Sequence, residues 1–143
     1  MKIIRADSAG FCFGVKRAYE LALQAVSKQK NIKVATLGEL IHNPEVLEEL
    51  HNRGIKTVKA ISKIRDGIVI IRAHGISQKK MKELKKKNIK IVDASCPFVK
   101  KIHMEVANFI KQDLPVVILG KRQHPELLAI LEDFPNVEVV EKI

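Results

Sequence analysis

The stretch LGELIHNPE at residues 37–45 joins an apolar segment to an amphipathic one, and a variant of it, LGKRQHPE, occupies residues 119–126. The glycines of these stretches, Gly38 and Gly120, lie 82 positions apart. A second pair, CFGVKR at 12–17 and CPFVKK at 96–101, is separated by 84 positions. Two pairs in the same order at nearly the same offset indicate an internal repeat of roughly 83 residues.

Around these stretches, short apolar segments alternate with helical patterns. Apolar residues at helical spacing from Gly14 to Val26 predict a first helix, and further helices are predicted over 44–52, 77–87, 97–112 and 125–134. Strands are predicted at 2–5, 32–37, 67–72, 90–92, 116–119 and 137–140, with another ending at 58–59. This alternation predicts an α/β fold built from repeated units with mostly parallel sheets.

The repeat predicts a division into two units. Residues 1–95 form the first α/β unit, and residues 96–143 form an incomplete second one. Residues 1–11 precede Cys12 as residues 89–95 precede Cys96, so we expect them to be a strand in the sheet of a third unit outside this sequence. A ring of repeats that has been cut would have this arrangement, and we therefore expect a part of a longer protein.

Composition narrows the class of protein. The 143 residues are 46% hydrophobic, a fraction typical of a folded globular protein and not of a disordered chain. The net charge of +10 favours anionic partners. No apolar run approaches the roughly 20 residues that a membrane span requires, and no secretory signal is recognisable, so we expect a cytoplasmic protein. Two cysteines are too few for a disulfide scaffold.

The cysteines occupy equivalent positions in the repeat. Cys12 and Cys96 each fall at the first turn of a predicted helix and precede a basic pair, and both features favour the thiolate that binds metal or attacks an electrophile. A buried structural cysteine is the alternative for either one alone. The close C-x₂-C spacing of structural zinc sites is absent, and two ligands are too few for a cubane cluster, which would need more from elsewhere.

Three histidines follow predicted strands: His42, His74 and His124. Residues beyond the carboxyl ends of parallel strands line the ligand crevice of an α/β sheet, so we expect a shared anionic site. Surface or capping histidines are the alternative. Pro44 and Pro125 open helices whose free N–H groups can hold phosphate. Glu126 lies in one of these first turns, either stabilising the helix dipole or acting as a proton donor beside the anion.

The lysine-rich helix at 77–87 is interpreted as a solvated face. Six aromatic residues are present in the chain, and none is interleaved with these lysines as a base-stacking surface would require. We therefore expect neither a nucleic-acid partner nor a membrane partner.

Five motifs together are similar to those of one enzyme family: GFCFGVKRA at 10–18, HNP at 42–44, RAHG at 72–75, DASCP at 93–97 and HPE at 124–126. They resemble the LytB-type 4-hydroxy-3-methylbut-2-enyl diphosphate reductases, nearly end to end over this sequence. The resemblance implies a trefoil of three similar α/β units around an iron–sulfur cluster, of which this sequence would hold a part. It also implies the last step of the non-mevalonate isoprenoid pathway, a reductive dehydration to isopentenyl and dimethylallyl diphosphate.

The resemblance assigns a role to each candidate residue. Cys12 and Cys96 would be two thiolate ligands of a [4Fe–4S] cluster whose third cysteine lies outside this sequence, and Glu126 would deliver protons. Electrons would come from ferredoxin or flavodoxin, whose acidity suits a basic surface. The histidines at the strand ends would bind the diphosphate of the allylic substrate: His42, His74 and His124.

Two local departures from the family pattern accompany a difference in length. Ser95 stands where the family usually has threonine, and LLAIL at 127–131 stands where a glycine is usual. Because roughly half of the family's length is absent, we expect that the chain alone neither holds a stable cluster nor turns over substrate. The alternatives are a truncated, non-catalytic basic α/β module that binds phosphometabolites or nucleic acid, and a zinc hydrolase.

Overall fold

The computed structural model describes residues 1–28 and 32–142. The helices are α1 (Phe13–Ser27), α2 (Pro44–Asn52), α3 (Gln78–Lys85), α4 (Pro97–Lys111) and α5 (Pro125–Asp133), with a short 3₁₀ turn at Ile61–Lys63. The strands are β1 (Val34–Leu37), β2 (Ile55–Val58), β3 (Ile68–Ile71), β4 (Lys90–Asp93), β5 (Val117–Leu119) and β6 (Glu138–Val140). Each predicted helix is confirmed to within two residues at either end.

Two sheets organise these elements, and every strand pair in them is parallel. The larger sheet has the order β2-β1-β3-β4, with Val34 in register with Ile55 on one side and with Ile68 on the other. The smaller sheet pairs β5 with β6. The predicted α/β class with parallel sheets is confirmed.

The central strand β3 explains why the larger sheet is covered on both faces. Its residues IVII are all at most 2% exposed. Ile68 and Ile70 pack among residues of α1 and α2 on one face, while Val69 and Ile71 pack with Leu84 of α3 on the other. A continuous apolar run, rather than an alternating one, is typical of a strand buried on both sides.

The second half of the chain repeats the element order of the first. Helices α1 and α4 each have 15 residues and follow a cysteine, and α2 and α5 each have nine residues and begin at a proline. The strands that flank α2 pair in parallel, as do the strands that flank α5. This correspondence supports the repeat, while the division into units at residue 95 stays a prediction.

One expectation about local structure is wrong. Residues 2–5 form no strand in the described chain and are exposed, because apolar composition alone does not form a strand without pairing and packing. Their place in the sheet of another unit stays a prediction. In α4, Val99 and Val106 are buried, but Ile102 is 48% exposed and Ile110 is 36% exposed. The apolar stripe of this helix is therefore covered along only part of its width.

Gly67 occupies a position that another residue cannot take without displacing the sheet. It has φ +91°, and a Cβ there would overlap the carbonyl oxygen of Lys33, which accepts a 2.8 Å hydrogen bond from the N–H of Ile68. Gly67→Ala is expected to lower the free energy of unfolding by about 1–2 kcal/mol for the left-handed conformation. Loss of the hydrogen bond between β1 and β3 adds about 1–3 kcal/mol.

Urea unfolding of Gly67→Ala beside Gly54→Ala measures this difference. Gly54 has φ +89°, and a Cβ added to it would have no neighbouring atom within 4 Å, so this variant isolates the conformational part of the effect. Equal losses of stability in the two variants would contradict the proposed clash with Lys33.

Candidate functional site

The amino termini of α1 and α4 lie against each other and bring the two cysteines to one region. Cys12 and Cys96 are the N-cap residues of these helices, and neither side chain forms a capping hydrogen bond. A Cβ on Gly14 would lie 2.6 Å from Sγ of Cys96, so this thiol packs directly on the α1 backbone two residues beyond Cys12. Cys12 is exposed and Cys96 is partly buried, and both are free thiols.

Arg17 fixes this arrangement from the first helix. Its Nη1 donates to the carbonyl oxygen of Ser95 at 3.2 Å, and its Nη2 donates to that of Asp93 at 3.3 Å. The N–H of Cys96 in turn donates to the carbonyl oxygen of Ala73 at 2.8 Å. The segment that precedes Cys96 is therefore held between α1 and the loop that carries the second histidine.

The three histidines predicted to share a site do lie together. The ring centroids of His42 and His74 are 4.5 Å apart, and those of His74 and His124 are 6.2 Å apart. They come from the segments that follow β1, β3 and β5. We call these three side chains the histidine cluster. Their convergence is an observation, and their role in binding an anion stays a prediction.

The central ring of the cluster is held in its neutral form. Burial and the neighbouring His42, Arg72 and His124 lower the pKa of His74 to about 4. Its Nδ1 is buried without a hydrogen-bond partner among the described residues. A neutral imidazole with one free nitrogen can accept or donate a single hydrogen bond, depending on its tautomer.

Each outer histidine has a glutamate beside it. Oε2 of Glu39 lies 3.4 Å from Nδ1 of His42, and Oε2 of Glu126 lies 3.9 Å from Nδ1 of His124. The N–H of Glu126 also donates to Nδ1 of His124 at 3.4 Å. With Nδ1 accepting that bond, the proton of a neutral His124 sits on Nε2, which is then available to donate to an anion.

The helix amino termini near the cluster are less open than the sequence suggests. Oδ1 of Asn43, at the N-cap of α2, accepts a 3.0 Å hydrogen bond from the N–H of Val46. One of the N–H groups predicted to hold phosphate is therefore already hydrogen-bonded. His124 caps α5 in the same way. Fewer N–H groups are therefore free at these helix ends than the sequence suggests.

Sequence reasoning missed three residues that shape the site: Gly14, Arg17 and Glu39. Glu39 precedes His42 by three positions, a spacing from which the contact could have been anticipated. Gly14 and Arg17 act on residues at positions 93–96, and no local pattern predicts contacts across 76 or more positions.

The described side chains do not complete a metal site by themselves. No group of three or more histidine, cysteine, aspartate or glutamate residues is arranged to hold a metal ion within residues 1–28 and 32–142. In the same ranges, no helix is long and apolar enough to cross a membrane.

The neutral state of His74 makes stability depend on pH. The unfolded chain takes up a proton near the ordinary histidine pKa of 6.5, whereas the folded chain does so only near 4. The free energy of unfolding is therefore expected to fall as the pH drops from 6.5 to 4, and this contribution levels off below 4. Urea midpoints across this range measure it, and His74→Gln should reduce the slope, leaving the part that comes from His103, whose pKa is also lowered by burial. An unchanged slope in that variant would contradict the assignment.

The fold and the site together define a class: a repeated, parallel α/β protein with two free thiols at adjoining helix amino termini and three imidazoles at strand ends. Residues 3–142 match the family model described as LytB protein. The chain belongs to the LytB family.

The relatives are enzymes of about twice this length. A 4-hydroxy-3-methylbut-2-enyl diphosphate reductase of Caldanaerobacter subterraneus subsp. tengcongensis is 43% identical over 133 residues, which cover 91% of this chain and 46% of the relative. One from Geotalea uraniireducens is 44% identical over 131 residues, covering 92% and 46%. The chain thus spans about half the length of the curated relatives it matches.

Solved structures agree with this assignment. The E-1-hydroxy-2-methyl-but-2-enyl-4-diphosphate reductase of Plasmodium falciparum matches with a TM-score of 0.88 at 30% identity, covering 95% of this chain and 43% of the other. A structure of (E)-4-hydroxy-3-methyl-but-2-enyl diphosphate reductase matches with a TM-score of 0.80 at 40% identity, covering 99% and 51%.

Proposed function

We propose that these residues form the part of a 4-hydroxy-3-methylbut-2-enyl diphosphate reductase that supplies two cluster ligands and the histidine side of the diphosphate site. The observation that supports the proposal is the convergence of His42, His74 and His124 at the strand ends of a chain that is 43% identical to such a reductase. The reaction adds two electrons and two protons to the allylic alcohol, breaks its C–O bond and releases water. The products are isopentenyl and dimethylallyl diphosphate.

Cys12 and Cys96 suit two of the thiolate ligands of a [4Fe–4S] cluster. Both are free, and the contact between Gly14 and Sγ of Cys96 brings their helix amino termini together. The positive ends of two helix dipoles therefore face the negatively charged ligands that a cluster requires. When bound, the cluster would supply electrons and a Lewis-acidic iron for the substrate hydroxyl. Further ligands must come from outside the described residues, so we expect no stable cluster on this chain alone.

The histidine cluster would bind the diphosphate by hydrogen bonds that do not all require charge. Neutral His74 can donate one N–H to a phosphate oxygen, and the approach of the anion raises its pKa and strengthens that bond. His42, whose Nδ1 faces Oε2 of Glu39 at 3.4 Å, presents its other ring nitrogen to the anion. Glu126 would hold the proton that is delivered to the reacting carbon or oxygen, with His124 orienting it.

The electron donor would be a small acidic carrier, ferredoxin or flavodoxin. The net charge of +10 on this part of the protein favours an acidic partner and an association rate that falls with added salt. A cytoplasmic location is part of the same proposal.

A hybrid protein tests the proposed function. It joins residues 1–142 to the segment of the Caldanaerobacter relative that this chain does not match, and the unaltered relative is treated in parallel. After anaerobic reconstitution with iron and sulfide, the hybrid should show iron–sulfur absorption and convert the allylic diphosphate to the two products with a chemical reductant. A folded hybrid that holds the cluster but forms neither product, while the relative forms both, would contradict the proposal.

A further inference from the structure

The carboxyl end of the larger sheet has a second polar feature, formed where the strand order reverses. In the order β2-β1-β3-β4 the chain leaves β1 towards one edge of the sheet and β3 towards the other. Such a reversal opens a crevice between the two strand ends, and parallel α/β sheets commonly hold ligands there. Gly38 follows β1 directly and Arg72 follows β3 directly, so both residues border this reversal.

Arg72 is half-buried, and its positive charge is only weakly compensated by nearby carboxylates. Its Nε donates to the carbonyl oxygen of Gly75 at 3.4 Å, and it forms no ion pair with a carboxylate in the described part of the chain. Burial lowers the pKa of Arg72, and the charge of Glu39 opposes that effect only in part. A guanidinium removed from water without a close anion is unfavourable, so a bound anion would relieve this penalty.

The space beside Arg72 is large enough for such an anion and is mainly basic. A cavity of about 380 Å³ is lined by Arg72, Lys59 and Lys80, with Glu83 as an acidic neighbour. Lys80 also pairs with Glu132 at 2.6 Å, which leaves Arg72 and Lys59 as the cations without an ion-pair partner among the described residues. We call this cavity the Arg72 crevice.

Gly38 keeps the guanidinium accessible. A Cβ at this position would lie 3.1 Å from Nη1 and 3.3 Å from Cδ of Arg72, closer than a side chain normally packs. With no side chain there, the planar fork of Arg72 is free to form two parallel hydrogen bonds, the geometry that suits phosphate oxygens.

The Arg72 crevice adjoins the histidine cluster but includes none of its histidines. The crevice shares the ends of β1 and β3 with the cluster, and its other walls come from the segment that holds the 3₁₀ turn and from α3, whereas the cluster also involves the N-cap region of α5. We propose that the Arg72 crevice binds a phosphate-class oxyanion in addition to the diphosphate proposed for the histidine cluster. The anion could be free inorganic phosphate or the terminal group of a diphosphate, which share this chemistry.

Titration of the chain with inorganic phosphate, and separately with inorganic diphosphate, tests the proposal by amide NMR at low salt. Phosphate should shift the N–H signals of Gly38 and Ala60 at the crevice. Arg72→Met should weaken this binding by about tenfold or more, because a charge-assisted pair of hydrogen bonds is lost. Lys82→Met is the matched control, since Lys82 is an exposed cation of α3 outside the crevice and should leave the affinity unchanged.

Several outcomes would overturn the proposal. These are unchanged affinity in Arg72→Met, equal weakening in Lys82→Met, and phosphate shifts confined to the histidine cluster. If Arg72→Met does not fold, Lys59→Met replaces it, because Lys59 is exposed, and about threefold weaker binding is expected. No weakening in Lys59→Met would then overturn it.

The two anion sites can fail independently. His124→Asn should weaken binding of an allylic diphosphate at the histidine cluster while the phosphate shifts at Gly38 persist. Titration with diphosphate in place of phosphate identifies the source of the anion. If the terminal phosphoryl group of a diphosphate reaches the crevice, the signals of the histidine cluster and those of the crevice shift together.

Discussion

Replacing either Cys12 or Cys96 with serine in the hybrid protein is expected to abolish both the iron–sulfur absorption and the reduction of the allylic diphosphate. A serine hydroxyl is far less acidic than a thiol and is a poor ligand for iron at neutral pH, so either change removes one of the proposed ligands. Because the two cysteines cap adjoining helices, we expect the two single variants to lose cluster and activity to the same extent.

Absorption of the anaerobically reconstituted variants and iron and sulfide analysis measure this loss. Ser27→Ala is a control on α1, since its hydroxyl is exposed and bonds only to the carbonyl oxygen of Gln24 at the far end of the helix. Circular dichroism establishes that the serine variants are folded, as expected because neither thiol forms a capping hydrogen bond. A normal cluster in both variants would contradict the assignment of these ligands.

The parts of the fold that sequence predicted are those fixed by local chemistry. The helix at Pro44–Asn52 was predicted at both ends, because Asn43 and Pro44 are typical of a helix start and Gly54 of a stop. Strand β3 was also predicted, because the short β-branched run IVII is typical of a buried strand. The rule that parallel strands end at one edge of a sheet accounts for the meeting of His42 and His74, whereas His124 follows a strand of the smaller sheet and its approach depends on the packing of the two sheets.

The remaining features depend on contacts between distant positions. Residues 2–5 have the apolar composition of a strand but pair with no described strand, and propensity alone does not form one. The exposure of Ile102 depends on which elements reach α4, which its helical spacing does not reveal. Two contacts join segments about 80 positions apart, so only the assembled fold shows them. They are the hydrogen bond from Arg17 to the carbonyl oxygen of Ser95 and the packing of Gly14 against Cys96.

Glu126→Gln in the hybrid protein is expected to lower the rate of product formation by about 10²–10⁴-fold, the range for loss of a general acid. Glutamine matches the shape of glutamate but has no carboxyl proton to deliver. Glu126 lies 3.9 Å from Nδ1 of His124 and its own N–H donates to that nitrogen, so the site should keep its geometry. Binding of the allylic diphosphate is therefore expected to change little while kcat falls.

Glu45→Gln is the matched control for this prediction, because Glu45 and Glu126 occupy the same first-turn position of α2 and α5 in the repeat. The interaction of each carboxylate with its helix dipole stabilises the helix by about 0.3–1 kcal/mol, so the two substitutions should cause similar losses of stability. Equal losses of activity would show that Glu126 serves only the helix.

If Glu126 acts through His124, then Glu126→Gln combined with His124→Asn should lower kcat by much less than the product of the single effects, since groups that share one proton-transfer step are not additive. Fully multiplicative losses would separate the two residues into different steps and contradict the proposed pairing.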